Sequence, residues 1–211
     1  MAHLTLNVGK GGNMCKKSNL VKLFCAMAVV VFLMGCAGMA PKPTAQNFQA
    51  PIVTLNHVEV QKYWGWWFFS DKVEPTKGTA GNYGAPLALA FIFEIENPNP
   101  YPVLMHEFRF TVGFEEFDLD TVIATDLIWI PAGQKNQFRA MSIFDARSAQ
   151  LSMLVTSGFK LQAKGLSFWD ALEKYWIGIQ DFSFPVHVNQ GSAVFKADGL
   201  VKSVSFSATF P

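Results

Sequence analysis

Four groups of side chains have types and spacings that chemistry could use. Glu115, Glu116, Asp118 and Asp120 set four carboxylates within six residues. Calcium takes carboxylate oxygens, but they must converge around a turn-forming Gly. Here Phe117 and Leu119 interleave with the acids, the pattern of an exposed hairpin, so no metal is expected. His57, His106 and His187 lack metal-ligand spacing. Ser157-Gly158-Phe159-Lys160 has the bare Ser-x-x-Lys spacing of some acyl enzymes without the motifs that accompany it. A Gly-rich phosphate loop and a nucleophile elbow are both missing from the sequence. The expectation is therefore no catalytic residue, no cofactor and no enzyme. The fourth group is Tyr63-Trp64-Gly65-Trp66-Trp67-Phe68-Phe69. Trp favours the boundary between membrane and water. Trp64, Trp66, Trp67, Phe68 and Phe69 are thus a candidate apolar contact surface, for a membrane interface or an apolar ligand. The competing reading is core packing by an irregular strand.

Cysteine chemistry is confined to one end. Cys15, Cys25 and Cys36 are the three cysteines, so the rest of the 211 residues has no thiol for a disulfide, a nucleophile or a zinc site. Lys16, Lys17 and Lys22 form a basic region before an uncharged apolar run from Leu23 to Met34. That run is shorter than the roughly 20 residues a bilayer span takes. It closes with Leu33-Met34-Gly35-Cys36, which resembles the lipobox of bacterial lipoproteins. The resemblance implies that residues 1–35 are a signal peptide, with Met14 an alternative start. It also implies that the Cys36 thiol takes a diacylglycerol and that the new amino terminus is acylated, palmitate being a typical chain. Buried methylenes contribute about 0.8 kcal/mol each, so several acyl chains hold firmly. Residues 36–50, with Pro41 and Pro43, read as a tether. Ala37 stands where an acid would favour the inner membrane, so the expected place is the outer membrane, facing the periplasm.

Charge excludes some partners. The chain has 17 Lys+Arg against 16 Asp+Glu, too even for nucleic acid. Lys10, Lys16, Lys17 and Lys22 all precede Cys36 while no acid does, so loss of that segment leaves an acidic chain without a polybasic grip on lipid. Disorder is excluded for most of the chain by 20 Phe and 6 Trp.

The elements that would position these groups are mostly strands. Leu87, Leu89, Phe91, Phe93 and Ile95 alternate with Ala88, Ala90, Ile92 and Glu94. Phe108, Phe110, Val112 and Phe114 alternate with polar residues, as do Phe182, Phe184, Val186 and Val188, and Val204, Phe206, Ala208 and Phe210. One apolar face per strand predicts an antiparallel β-sandwich over residues 51–211. Weaker strands are expected near Ile52–Val60, Phe117–Trp129 and Gln134–Phe144. Turns are expected at Pro131-Ala132-Gly133, Asn189-Gln190-Gly191 and Asp198-Gly199. Arg147, Leu151, Leu154 and Val155 follow helical spacing between Asp145, a candidate N-cap, and Gly158, a candidate stop. A second helix is expected from a Ser167 cap, with Phe168, Leu172 and Tyr175 on one face and Gly178 at its end.

Asn97-Pro98-Asn99-Pro100-Tyr101-Pro102 follows the first strong strand. The prolines cannot donate to a ladder, and each holds its predecessor extended. Asn97 and Asn99 suit Asx-turns. The segment reads as a rigid crossing, a structural device. An apolar strand, Asn97-Pro98-Asn99-Pro100, a second strand, a Pro-Ala-Gly turn and a helix near Leu151–Val155 resemble the WHy domain (water stress and hypersensitive response), shared with group 2 late embryogenesis abundant proteins. The resemblance covers residues 52–211. It implies an immunoglobulin- or fibronectin-like sandwich with one or two short helices, a non-catalytic role in stress or desiccation tolerance, and no catalytic residues to carry over. Binding of an apolar ligand and a structural place in an envelope complex are the alternatives.

Overall fold

Leu87, Leu89, Phe91, Phe93 and Ile95 are all removed from solvent, so the alternating strand that carries them lies at the centre of the molecule. The structure, a computed structural model, describes residues 41–70 and 84–211. The expected signal peptide, Cys36 and the first tether residues lie outside the described residues, as do Asp71 and Lys72 beside the aromatic segment.

The elements in order are β1 (Ile52–Tyr63), a 3-10 turn (Trp66–Phe68), β2 (Pro86–Glu96), β3 (Val103–Phe114), β4 (Phe117–Ala124), β5 (Ile128–Ile130), β6 (Lys135–Asp145), α1 (Ala146–Ala163), α2 (Phe168–Gly178), β7 (Val186–Ala197) and β8 (Leu200–Phe210). One sheet is β1-β2-β6 and the other is β4-β3-β7-β8, with β5 continuing the β4 edge along β3. All pairings are antiparallel. The expected mainly-β sandwich with two helices is the observed fold. Between the sheets, Phe91 meets Phe110 at 4.9 Å and Phe93 meets Phe108 at 4.8 Å, both edge to face, the arrangement aromatic quadrupoles favour.

Registers define two poles. Ile52, Glu96, Lys135, Val103 and Ile130 lie at one, where the chain enters the sandwich. Tyr63, Leu87, Phe144, Phe114, Val186 and Phe210 lie at the other, which carries both the aromatic segment and α2. We call these the tether pole and the helix pole.

Three local expectations need correction. Asn189-Gln190-Gly191 is not a turn: β7 runs through it with a register shift between Val188 and Gly191, and Gln190 takes the left-handed conformation. This is a β-bulge, which bends the strand without ending it. Gly191 is required there because a Cβ would lie 2.4 Å from the Phe206 ring and 2.6 Å from its carbonyl oxygen. Phe182–Pro185 precede β7 rather than forming its start. Gly158 does not stop α1. The helix continues to Ala163 and ends in a Schellman motif, with Leu166 N–H on Leu161 O and Gly165 N–H on Gln162 O. Gly165 has φ of 64° and is the actual terminator. The Asp145 cap stands: its carboxylate accepts from Ser148 N–H, and Ser148 Oγ accepts from Asp145 N–H. Ser167 likewise caps α2, which ends at Gly178.

Candidate functional site

The Asn-Pro-Asn segment is built as a clasp at the tether pole. Asn97 and Asn99 are fully buried. Asn97 Nδ2 donates to the carbonyls of Tyr101, Ile130 and Pro131 at 2.8, 3.1 and 3.0 Å. Its Oδ1 accepts from Asn99 N–H at 3.0 Å, the expected Asx-turn, and from Asn99 Nδ2. Asn99 does something the sequence did not reveal. Its Oδ1 accepts from Gln49 N–H at 2.7 Å and its Nδ2 donates to Gln49 O at 2.9 Å. One amide thereby takes both backbone groups of a residue fifty positions earlier, as a neighbouring strand would. Tyr101 Oη donates to Asn47 Oδ1, the Tyr101 ring meets Phe48 at 6.5 Å, and Lys202 Nζ donates to Phe48 O. Phe48 is buried, so the sandwich is already in contact with the chain before residue 51.

The acidic hairpin disperses its charges. Glu115 accepts from Lys174 Nζ at 2.5 Å and from Tyr175 Oη at 3.0 Å. Glu116 pairs with Lys164. Asp118 accepts from Asn189, and Asp120 from Ser142 at 2.5 Å across the gap between β4 and β6. Four acids thus serve four separate contacts, and among the described residues no group of His, Cys, Asp and Glu is placed to hold a metal. Burial acts to raise the Glu115 carboxyl, but the hydrogen bonds from Lys174 and Tyr175 and the charges of Lys174 and Lys164 outweigh it and hold the group below its ordinary value. Burial, and then the bond to Glu115, pushes the Tyr175 hydroxyl far upward. Glu115 has φ of 50°, a conformation unfavourable for a side chain and held here by its ties to α2.

The aromatic segment divides. Trp66 and Phe69 are buried and meet at 5.2 Å, and Trp66 Nε1 has no hydrogen-bond partner among the described residues. Trp64 is exposed; its ring meets Phe68 at 4.5 Å, tilted by 42°, and Lys62 Nζ sits 5.4 Å over it. Trp67 lies 3.7 Å from Phe68 and covers Gly65, where a Cβ would be 2.8 Å from its ring. The 3-10 turn puts Trp66 inward while Trp64 stays outside, an outcome that a strand with both on one face would not give. Phe69 also meets Trp169 of α2 at 5.4 Å. Tyr63 Oη donates to Trp176 O, and Trp176 Nε1 donates to Ala85 O. The segment therefore packs mainly on itself and on α2.

Trp169 and Ile177 of α2 are exposed at the helix pole, and a longer exposed apolar stripe lies on α1. Ala146, Ala149, Met153, Ser157 and Leu161 are its buried stripe, and Ser152 Oγ and Lys160 Nζ tie it to the carbonyls of Asp118 and Glu116. Leu151, Val155 and Phe159, at i, i+4 and i+8, are 62%, 84% and 90% exposed, with Leu154 beside them. Leu151, Leu154 and Val155 were the residues whose spacing announced the helix, and they face solvent. The signal available was a second stripe, small at Ala146, Ala149 and Ser157 and apolar at Met153, which suits close approach to a sheet edge. Residues 148–159 contain no charge.

Open grooves run along the outer face of the second sheet and between β4 and α1. One, of about 550 Å³ and open, is lined by Arg109, Gln190, Gly191, Ser192, Ser205, Phe206 and Ser207. The others share Thr111, Thr121 and Gln190 among their walls. Their linings are largely polar. No helix among the described residues is long and apolar enough to cross a membrane.

No family model and no curated protein matches this chain. Among solved structures it is similar to a protein from Archaeoglobus fulgidus at 9% identity and a TM-score of 0.41, covering 74% of this chain and 94% of that one. A structural-genomics target, SoR45, gives 7% identity and 0.41, covering 76% and 85%. The solution structure of a protein described as late embryogenesis abundant (LEA) gives 10% identity and 0.22, covering 93% and 86%.

Proposed function

We propose that this chain is a lipid-anchored envelope protein of the WHy type, held through Cys36 in the outer membrane and facing the periplasm. Its role is non-catalytic and protective: the helix pole shields apolar segments of partly unfolded envelope proteins under water or cold stress. The observation that carries this reading is the solvent-facing stripe of α1. Leu151, Val155 and Phe159 stand exposed on a helix closed by a cap at each end and pinned to β4. Apolar residues in contiguous exposed patches mark interaction sites more often than scattered ones do. Lipobox and Asn-Pro-Asn residues support the anchor and the type. A carrier of an apolar ligand is less favoured, because Trp66 and Phe69 are spent on packing and the grooves have polar walls.

Two experiments test the halves of this proposal. Metabolic labelling with a fatty acid should mark wild type and leave Cys36→Ala unmarked; equal label would remove the anchor. Purified full-length protein should slow aggregation of a heat-unfolded envelope protein, and Val155→Ser with Phe159→Ser should reduce that protection at least several-fold. Undiminished protection by the double variant would remove the α1 site.

A further inference from the structure

The outer face of the second sheet at the tether pole carries a row that no contact above uses. Trp129 of β5 pairs with Leu104 of β3, Leu104 with Lys196 of β7, and Lys196 with Val201 of β8. Directly paired residues point to one face. Trp129 is 60% exposed and Val201 57%, Leu127 is exposed close by, and Leu104 and Lys196 are half-buried. We propose that this row seats in the headgroup boundary of the bilayer that holds the anchor, a contact distinct from the α1 stripe. It rests on acylation of Cys36.

The clasp of Asn99 on Gln49, with Asn47 Nδ2 donating to Lys42 O, fixes the chain to this pole as far back as Lys42. Six residues, 36–41, then separate the clasp from the anchor, and fully extended they cover about 20 Å. Strands of 11 and 12 residues put the helix pole about 36–40 Å away. An anchored molecule can therefore bring the tether-pole end of this sheet face to the membrane, whereas a tether of that length does not let it stand inverted on its helix pole. Trp prefers the boundary, Leu104 and Val201 add apolar area, and Lys196 can bury its stem while its ammonium reaches headgroups. Asp126 and Asp198 neighbour the row in sequence, so the contact is apolar rather than a response to anionic lipid.

Acylated full-length protein would be reconstituted into phosphatidylethanolamine–phosphatidylglycerol vesicles containing brominated acyl chains, with tryptophan emission recorded. Brominated lipid should quench wild type. Trp129→Phe should lose at least half of the quenched fraction, while Trp169→Phe at the helix pole should retain it. Quenching undiminished in Trp129→Phe, or lost in Trp169→Phe, would overturn the proposal. Absence of quenching in protein whose Cys36 peptide is shown by mass spectrometry to be acylated would overturn the seat and leave the anchor standing. An unacylated Cys36 peptide would overturn both. Self-association through this face would appear as a Trp129 emission shift with protein concentration in lipid-free detergent, and it would also count against the bilayer.

Discussion

The two poles of the sandwich spend their unusual residues in opposite ways. At the tether pole, Asn97 and Asn99 are polar, fully buried and completely engaged with backbone groups. At the helix pole, Leu151, Val155 and Phe159 are apolar, exposed and disengaged from the core. Each set inverts the usual rule of polar outside and apolar inside. Buried amides that satisfy so many backbone groups define a unique chain path. Exposed leucine and phenylalanine on a pinned helix stabilise nothing within this molecule. The difference teaches where to expect stability and where to expect contact with something else.

The largest effect should come from Asn97→Ala. It strips three carbonyls of their donor and removes the acceptor of the Asn99 N–H and Nδ2, so unfolding in urea should show a loss of about 2–4 kcal/mol, several times the net worth of one hydrogen bond. A loss under about 0.5 kcal/mol would mean that water or backbone shifts replace the amide, and the contrast between the poles would weaken. The smaller expected effect is acid dependence at the helix pole. Glu115 is held below its ordinary value by Lys174 and Tyr175, so its stabilisation is present above about pH 4.3 and fades as pH falls through the lower folded value. Relative to Glu115→Gln, wild type should gain less than about 1 kcal/mol at neutral pH, because both partners of the ion pair are partly solvated. The two proteins should converge in strong acid; a gap that widened on acidification would contradict the assigned sign.

Much of the scaffold was legible because alternation is a local pattern. The β2 face from Leu87 to Ile95, the caps at Asp145 and Ser167, and the turn at Asp198-Gly199 all rest on neighbours within a few residues. β1 was only partly legible. Its inward residues Val53, Leu55, Val58, Val60 and Tyr63 slip phase where the register shifts after Leu55 and Val60, and a bulge hides period two. The reach of Asn99 to Gln49 was illegible for another reason: an amide that serves its own turn and one that serves a distant strand have the same spacing. The α1 stripe was seen as a helix signal but read without its opposite face. Ala146, Ala149, Met153 and Ser157 form the docking side there, and apart from Met153 these small residues give little hydrophobic signal.

The central claim is that stability resides in the clasp and protection in the α1 stripe. The most direct measurement compares Asn99→Ala with Phe159→Ser in the full-length protein, scoring aggregation suppression per folded molecule against unfolding free energy. Asn99→Ala should lose about 1–3 kcal/mol, the net worth of the several hydrogen bonds that its buried amide makes, with suppression per folded molecule unchanged. Phe159→Ser should stay within about 0.5 kcal/mol of wild type, as exposed substitutions do, and suppress aggregation several-fold less. Suppression that falls with Asn99→Ala, or persists in Phe159→Ser, would contradict the account.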